Sequence, residues 1–125
     1  MRLNQDDHGQ LFVVRGFSEN HVTVNDEQLN HAFLLTPEQK QTPPISRFDA
    51  LDATAADWLL TDKPEVIIVA TGNQTRMGEA RLAATLMQQG IGIEYMDIGA
   101  ACRTYTVLAS EHRRVSLLVL FEHGQ

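Results

Sequence analysis

Val66-Ile67-Ile68-Val69-Ala70 is a run of five apolar residues, four of them β-branched, with no polar residue at either parity. A strand with one wet face alternates; a strand that does not alternate must be covered on both faces. The run therefore demands packing layers on both sides of a sheet. The chain beyond it repeats the grammar. Ile91-Gly92-Ile93-Glu94-Tyr95-Met96 and the stretch from Val115 to Phe121 read as two further strands. Between them, a helix is expected from about Thr75 to Gln89, with Ala80, Ala83, Ala84 and Met87 on one stripe and Gly90 as its stop. A second helix is expected from about Gly99 to Glu111, bringing Ala101, Tyr105 and Leu108 together. Strand, helix, strand, helix, strand is the order of a right-handed parallel sheet.

The N-terminal part reads differently. Leu11-Phe12-Val13-Val14 is a short apolar run, Val22 and Val24 alternate with Thr23 and Asn25, and His31-Ala32-Phe33-Leu34-Leu35 reads as a third strand. Ser18-Glu19-Asn20-His21 and Asn25-Asp26-Glu27-Gln28 read as the turns between them, so residues 1–36 suggest an antiparallel meander. Residues 37–53, with Pro37, Pro43 and Pro44, form a crossover loop. Thr54 offers an N-cap with Asp57 three residues on, ahead of a short helix through Trp58-Leu59-Leu60. No internal repeat or low-complexity tract interrupts this order. The expected architecture is a single α/β domain with a mixed central sheet. Its βαβαβ C-terminal half occupies residues 54–125, with flanking helices and a small N-terminal antiparallel β meander. A chain of 125 residues has the length of one domain and buries roughly two thirds of its unfolded surface.

Charge narrows the function classes. The net charge of −6 argues against a nucleic-acid partner, because phosphate binding draws on a basic surface. All of that excess lies in residues 1–62, with four Lys/Arg against ten Asp/Glu; residues 63–125 hold six of each. The start, Met1-Arg2-Leu3-Asn4-Gln5-Asp6-Asp7-His8, does not resemble a signal peptide. The stretch from Val115 to Phe121 is too short to cross a bilayer, so no membrane insertion is expected and the cytoplasm is the expected compartment. Cys102, the only cysteine, permits no intrachain disulfide.

In an open parallel sheet, ligands bind outside the carboxyl ends of the strands. Two loops fall there. Thr71-Gly72-Asn73-Gln74-Thr75-Arg76 would open a helix whose free N–H groups attract an anion, with Arg76 as a further donor. Asp97-Ile98-Gly99-Ala100 leads into Cys102-Arg103-Thr104-Tyr105. The candidate pocket is thus Thr71, Gly72, Asn73 and Arg76 around a small anion, faced by Asp97, Arg103 and Tyr105. Plainer readings stand beside it: a tight strand-to-helix turn at Gly72, a helix cap at Asp97, and a buried thiol at Cys102. The loop lacks the three glycines of a dinucleotide fingerprint. Arg47 and Phe48 could fold over the pocket mouth, or Arg47 could simply pair with Asp49 or Asp52. The histidines at 8, 21, 31, 112 and 123 have no metal-ligand spacing. No nucleophile-elbow, P-loop or paired-carboxylate motif is present. No cofactor or metal is implied.

The stretch Val66 to Gly72, the sequence Gly92-Ile93-Glu94-Tyr95-Met96-Asp97, Ala101-Cys102-Arg103-Thr104-Tyr105, and Arg113-Arg114 before the last strand carry a resemblance over nearly the whole chain. They resemble the bacterial and archaeal family related to mitochondrial complex I assembly factor 3 and the adipogenesis-associated domain-containing protein. The resemblance implies a single α/β domain with a mixed central sheet and a small N-terminal β layer. Its functional implication is an assembly role, since the mitochondrial relative is an assembly factor. The family's strand-end motif is often Gly-Thr-Gly where this chain has Ala70-Thr71-Gly72, and often Thr-Tyr-Asn where it has Thr104-Tyr105-Thr106. The expected function is therefore a non-catalytic protein-interaction or assembly factor with a protein partner. The rival reading is a small anionic-ligand binder or enzyme using residues 71–76 and 97–105. Homo-oligomerisation through the meander edge is left open.

Overall fold

The computed structural model describes residues 11–72 and 74–122. In chain order its strands are β1 (Val14–Ser18), β2 (His21–Val24), β3 (Glu27–Leu29), β4 (Phe33–Leu35) and β5 (Lys40–Gln41). Two 3-10 turns, Phe48–Ala50 and Ala53–Ala55, lead into α1 (Ala56–Leu59). Then come β6 (Val66–Ala70), α2 (Ala80–Met87), β7 (Gly92–Met96), α3 (Ile98–Ser110) and β8 (Val115–Val119). The strands form two sheets, a three-stranded one in the order β1-β2-β3 and a five-stranded one in the order β5-β4-β8-β6-β7. Within the larger sheet β6 runs parallel to β7 and β8, whereas β4 runs antiparallel to β8 and β5. The mixed-sheet, single-domain α/β architecture with an N-terminal meander is thus the one present.

β6 is the strand its sequence demanded. Ile67, Ile68, Val69 and Ala70 all have 0% exposure. On one face, Ile68 and Ala70 join Leu117 and Val119 of β8, Val22, Val24 and Leu29 of the meander, and Ala101, Cys102 and Tyr105 of α3. On the other, Ile67 and Val69 join Leu118, Leu51, Ala55, Leu59, and Leu82 and Leu86 of α2. The meander and α3 together make one covering layer; the short helices and α2 make the other.

Three local expectations change. The meander's third strand is Glu27–Leu29, where a turn was expected; only Asn25 and Asp26 turn, with Asn25 at φ 54°. Phe33–Leu35 instead pairs with β8, Leu34 opposite Leu118. It is buried at every position, which suits an interior strand better than a half-wet meander. Thr54 does not cap the short helix. The Asp52 carboxylate instead caps the 3-10 turn ahead of it, accepting from the Thr54 N–H at 3.0 Å, and α1 itself has no side-chain cap.

The third change is α2, which spans eight residues. It is oriented by Leu82 and Leu86, both 0% exposed, while Ala80, Ala84 and Met87 face outward and Met87 is 66% exposed. Leucines at i and i+4 bury far more apolar area than a stripe of alanines, so they set which side faces the sheet. Residues 75–79 are not helical. At Gly78 a Cβ would overlap the Tyr95 ring, and Glu79 has extended backbone, φ −71° and ψ 129°. Gly90 does end the helix region, with φ 76°, a conformation that costs glycine nothing.

Leu86→Ala is expected to lower unfolding free energy by about 2–5 kcal/mol. Met87→Ala, on the outward side, should change it by no more than about 0.5 kcal/mol. Equilibrium urea denaturation of both variants checks the assignment.

Candidate functional site

The carboxyl end of β6 is stitched closely to that of β7. The Thr71 N–H donates to the Met96 carbonyl at 2.8 Å, and the Ile98 N–H to the Gly72 carbonyl at 2.8 Å. The Thr71 hydroxyl donates to the Gln74 carbonyl at 2.6 Å and accepts from the Arg76 N–H at 3.2 Å. Its hydrogen-bonding capacity is spent on shaping the turn. Gly72 has φ 89°, and the space a Cβ would need is filled by the Glu122 side chain. Asn73 lies outside the described residues.

Above this turn is a cleft of about 360 Å³ lined by Arg47, Phe48, Asp49, Thr71, Arg76 and the segment 120–122. Arg47 makes a two-pronged contact with Asp49, 2.9 and 2.7 Å, which holds the Asp49 carboxyl below its ordinary range. The Arg76 guanidinium lies 5.6 Å from the Phe48 ring centre, and Phe48 meets Tyr95 edge-on at 6.1 Å. Arg47 and Phe48 both line the cleft, and the Arg47–Asp49 pairing is present. Two arginines and two carboxylates line it, so its formal charges cancel.

No helix N-terminus opens into this turn, because α2 begins only at Ala80. The Glu79 carboxylate sits at that end, accepting from the Ala53 N–H at 3.0 Å. The other expected pocket residues belong to α3. Asp97 caps it, its Oδ1 accepting from the Ala100 N–H at 2.8 Å. Arg103 is exposed, with its guanidinium 6.0 Å from the Phe17 ring centre. Tyr105 is 0% exposed and its hydroxyl donates to the Phe12 carbonyl at 2.9 Å. The structure therefore brings Thr71 and Arg76 to one cleft and carries Arg103 and Tyr105 to the opposite face of the sheet. His8 and His123 lie outside the described residues; among those described, no cluster of His, Cys, Asp or Glu is arranged to hold a metal ion.

A second surface was not singled out by the sequence reading. Between β1 and α3 runs a groove. One part, about 380 Å³, is lined by Val14, Arg15, Gly16, Phe17, Cys102, Arg103, Thr106 and Val107. A neighbouring part, about 160 Å³, continues past Leu11, Val13 and Tyr105 to Ser110. Leu11, Val13, Phe17 and Val107 are 48%, 38%, 42% and 54% exposed. Along residues 11–18 exposed and half-buried positions alternate strictly. Leu11, Val13, Arg15 and Phe17 occupy the exposed parity. The signal was in the sequence: the segment carries apolar residues at both parities, so a face that is apolar except at Arg15 remains after the core has taken the other.

A family model described as protein of unknown function (DUF498/DUF598) matches residues 14–120. The 13 kDa major membrane protein of Francisella tularensis is 24% identical over 99 residues, covering 78% of this chain and 80% of that one. Assembly factor 3 of the NADH dehydrogenase (ubiquinone) 1 alpha subcomplex from Rattus norvegicus is 23% identical over 113 residues. That match takes in 89% of this chain, which spans 61% of the rat protein's length. A solution structure from Xanthomonas campestris superposes with a TM-score of 0.84 at 34% identity, over 96% of this chain and 92% of that one. Among the described residues, no helix is long and apolar enough to cross a membrane.

Cys102 tests the groove's geometry from beneath. It is 2% exposed, and burial pushes its thiol pKa up to about 12, with Arg103 only partly opposing. The unfolded chain gives up this proton from about pH 9, whereas the folded chain keeps it. Stability is therefore expected to be unaffected by this group below pH 9 and to fall as pH rises toward 12. Labelling with iodoacetamide at pH 8 should be slow in the native protein and fast in urea. Rapid native labelling would show that the thiol is open to the groove.

Proposed function

This chain belongs to the DUF498/DUF598 family of proteins of unknown function, and from that premise we propose that it works by binding another protein, as an interaction or assembly factor, rather than by turning over a substrate. The observation that carries the reading is the exposed apolar line of Leu11, Val13, Phe17 and Val107 beside a groove. Contiguous apolar surface left in water is characteristic of an interface awaiting its partner. The name of the rat relative, an assembly factor, points the same way. It is an analogy between whole proteins, and this chain spans 61% of that one.

The strand-end cleft gives the rival reading less support. Its arginines are matched by carboxylates, Arg47 is held by Asp49, and the Thr71 hydroxyl is committed to its own turn. An anion meeting Arg47 there would have to compete with Asp49.

Val107→Glu places a charge on the outward side of α3, at a residue 54% exposed. It should leave the thermal midpoint nearly unchanged, since exposed substitutions move stability by about 0.5 kcal/mol or less. Recovery of the stoichiometric partner that accompanies the wild-type chain from its own host should fall about tenfold or more, as for a central interface residue. Undiminished recovery would sink the assignment of this face. A small molecule retained in native mass spectra, and lost on changing Arg76 to alanine, would turn the reading toward the cleft.

A further inference from the structure

We infer a small-molecule site at the end of the sheet away from the cleft, suited to a free, zwitterionic α-amino acid. The cleft lies where β6 and β8 end; this second site lies where they begin. A pocket of about 330 Å³ is enclosed there by the loop between β4 and β5, the loop between α1 and β6, and the loop between α3 and β8. That volume is in the usual range for small-ligand sites. The pocket borders the apolar groove at Leu11, Pro37 and Ala109, which line both.

The first observation is a buried hydroxyl. Ser116 lines the pocket at 1% exposure, and its hydroxyl has no hydrogen-bond partner among the described residues. Taking a hydroxyl out of water without a partner costs free energy, so buried ones are almost always bonded. The other buried hydroxyl lining the pocket, that of Thr36, is already committed, accepting from the Gln39 N–H at 3.0 Å. Ser116 keeps both a donor and an acceptor for a guest.

The second observation is the sorting of charge around the rim. His112, Arg113 and Arg114, all exposed, come from the loop before β8, whereas Glu38 and Asp62 come from the other two loops. Glu65 holds Arg113 through its Nε at 3.0 Å, which leaves the terminal amino groups of that arginine for a carboxylate. One oxygen of Asp62 accepts from the Gln41 amide at 2.8 Å, leaving the other for an ammonium. A ligand of one sign would gain from one set of loops and be repelled by the other. A molecule carrying both signs gains from both. An α-amino acid carries both on one carbon, and one with a short polar side chain, such as glutamine, also offers a partner to Ser116.

L-glutamine is the probe. Its counterparts are N-acetyl-L-glutamine, which lacks the ammonium, and L-glutaminamide, which lacks the α-carboxylate. Titrated into the isotope-labelled full-length chain, L-glutamine should shift amide resonances of residues 36–39, 62–66 and 112–116, with half-saturation at about 1 mM or below. Each counterpart should bind about tenfold or more weakly. Ser116→Ala should weaken L-glutamine about fivefold or more while the thermal midpoint holds or rises, because that hydroxyl has no bond within the fold to lose. Glu38→Gln, a surface change, should weaken L-glutamine about threefold or more and leave N-acetyl-L-glutamine unaffected. Binding indifferent to Ser116→Ala would show that the hydroxyl serves the fold, as by holding a buried water, and would overturn the site. Equal binding of the three compounds, shifts confined to the cleft residues, or no shift at the pocket would overturn it too. None of these results bears on the groove, which Val107→Glu tests by itself.

Discussion

The double burial of β6 is the constraint from which the rest of the molecule follows. Four consecutive side chains at 0% exposure need apolar partners above and below. One helix layer cannot supply both. The larger sheet therefore has α1, α2 and the 3-10 turns on one face, and α3 with the three-stranded meander on the other. Seen this way the meander is a lid over the core, and Val22, Val24 and Leu29 are its inner surface. The Tyr105 hydroxyl fastens that lid to α3 through the Phe12 carbonyl, a bond of about 1 kcal/mol net in a protein interior.

Much of this was legible because periodicity reports burial directly. The unbroken run at 66–70, the Gly90 stop and the Asp97 cap were all readable from residue type and spacing. What escaped were features set by a neighbour distant in sequence. Nothing local tells that Phe33–Leu35 leaves the meander to pair with β8. Nor does the segment at 75–79 announce that Gly78 must pass against Tyr95, where a Cβ would collide with the ring. The alanines of α2 matched a helical stripe, but the leucines decided the outcome because buried area, not count, orients a helix.

The candidate site was half legible for a related reason. Both strand-end loops were expected at one mouth, since parallel strands end on the same edge of a sheet. β6 and β7 are neighbours, yet α2 packs on one face and α3 on the other. Thr71 and Arg76 therefore stay at the cleft while Arg103 and Tyr105 are carried away with α3. That same displacement sets Arg103 beside Phe17 and furnishes one wall of the β1 groove.

β8, the last of the described strands, lies in the middle of the five-stranded sheet, between β4 and β6. Leu34 has no strand partner on that side until Leu118 arrives, and Ile68 waits likewise for Leu117. The β5-β4 pair and the β6-β7 pair are therefore joined into one sheet only through β8. Take that strand away and each pair is left with a bare apolar edge, a ready template for unwanted pairing. The sheet is held together at its centre rather than at its rims.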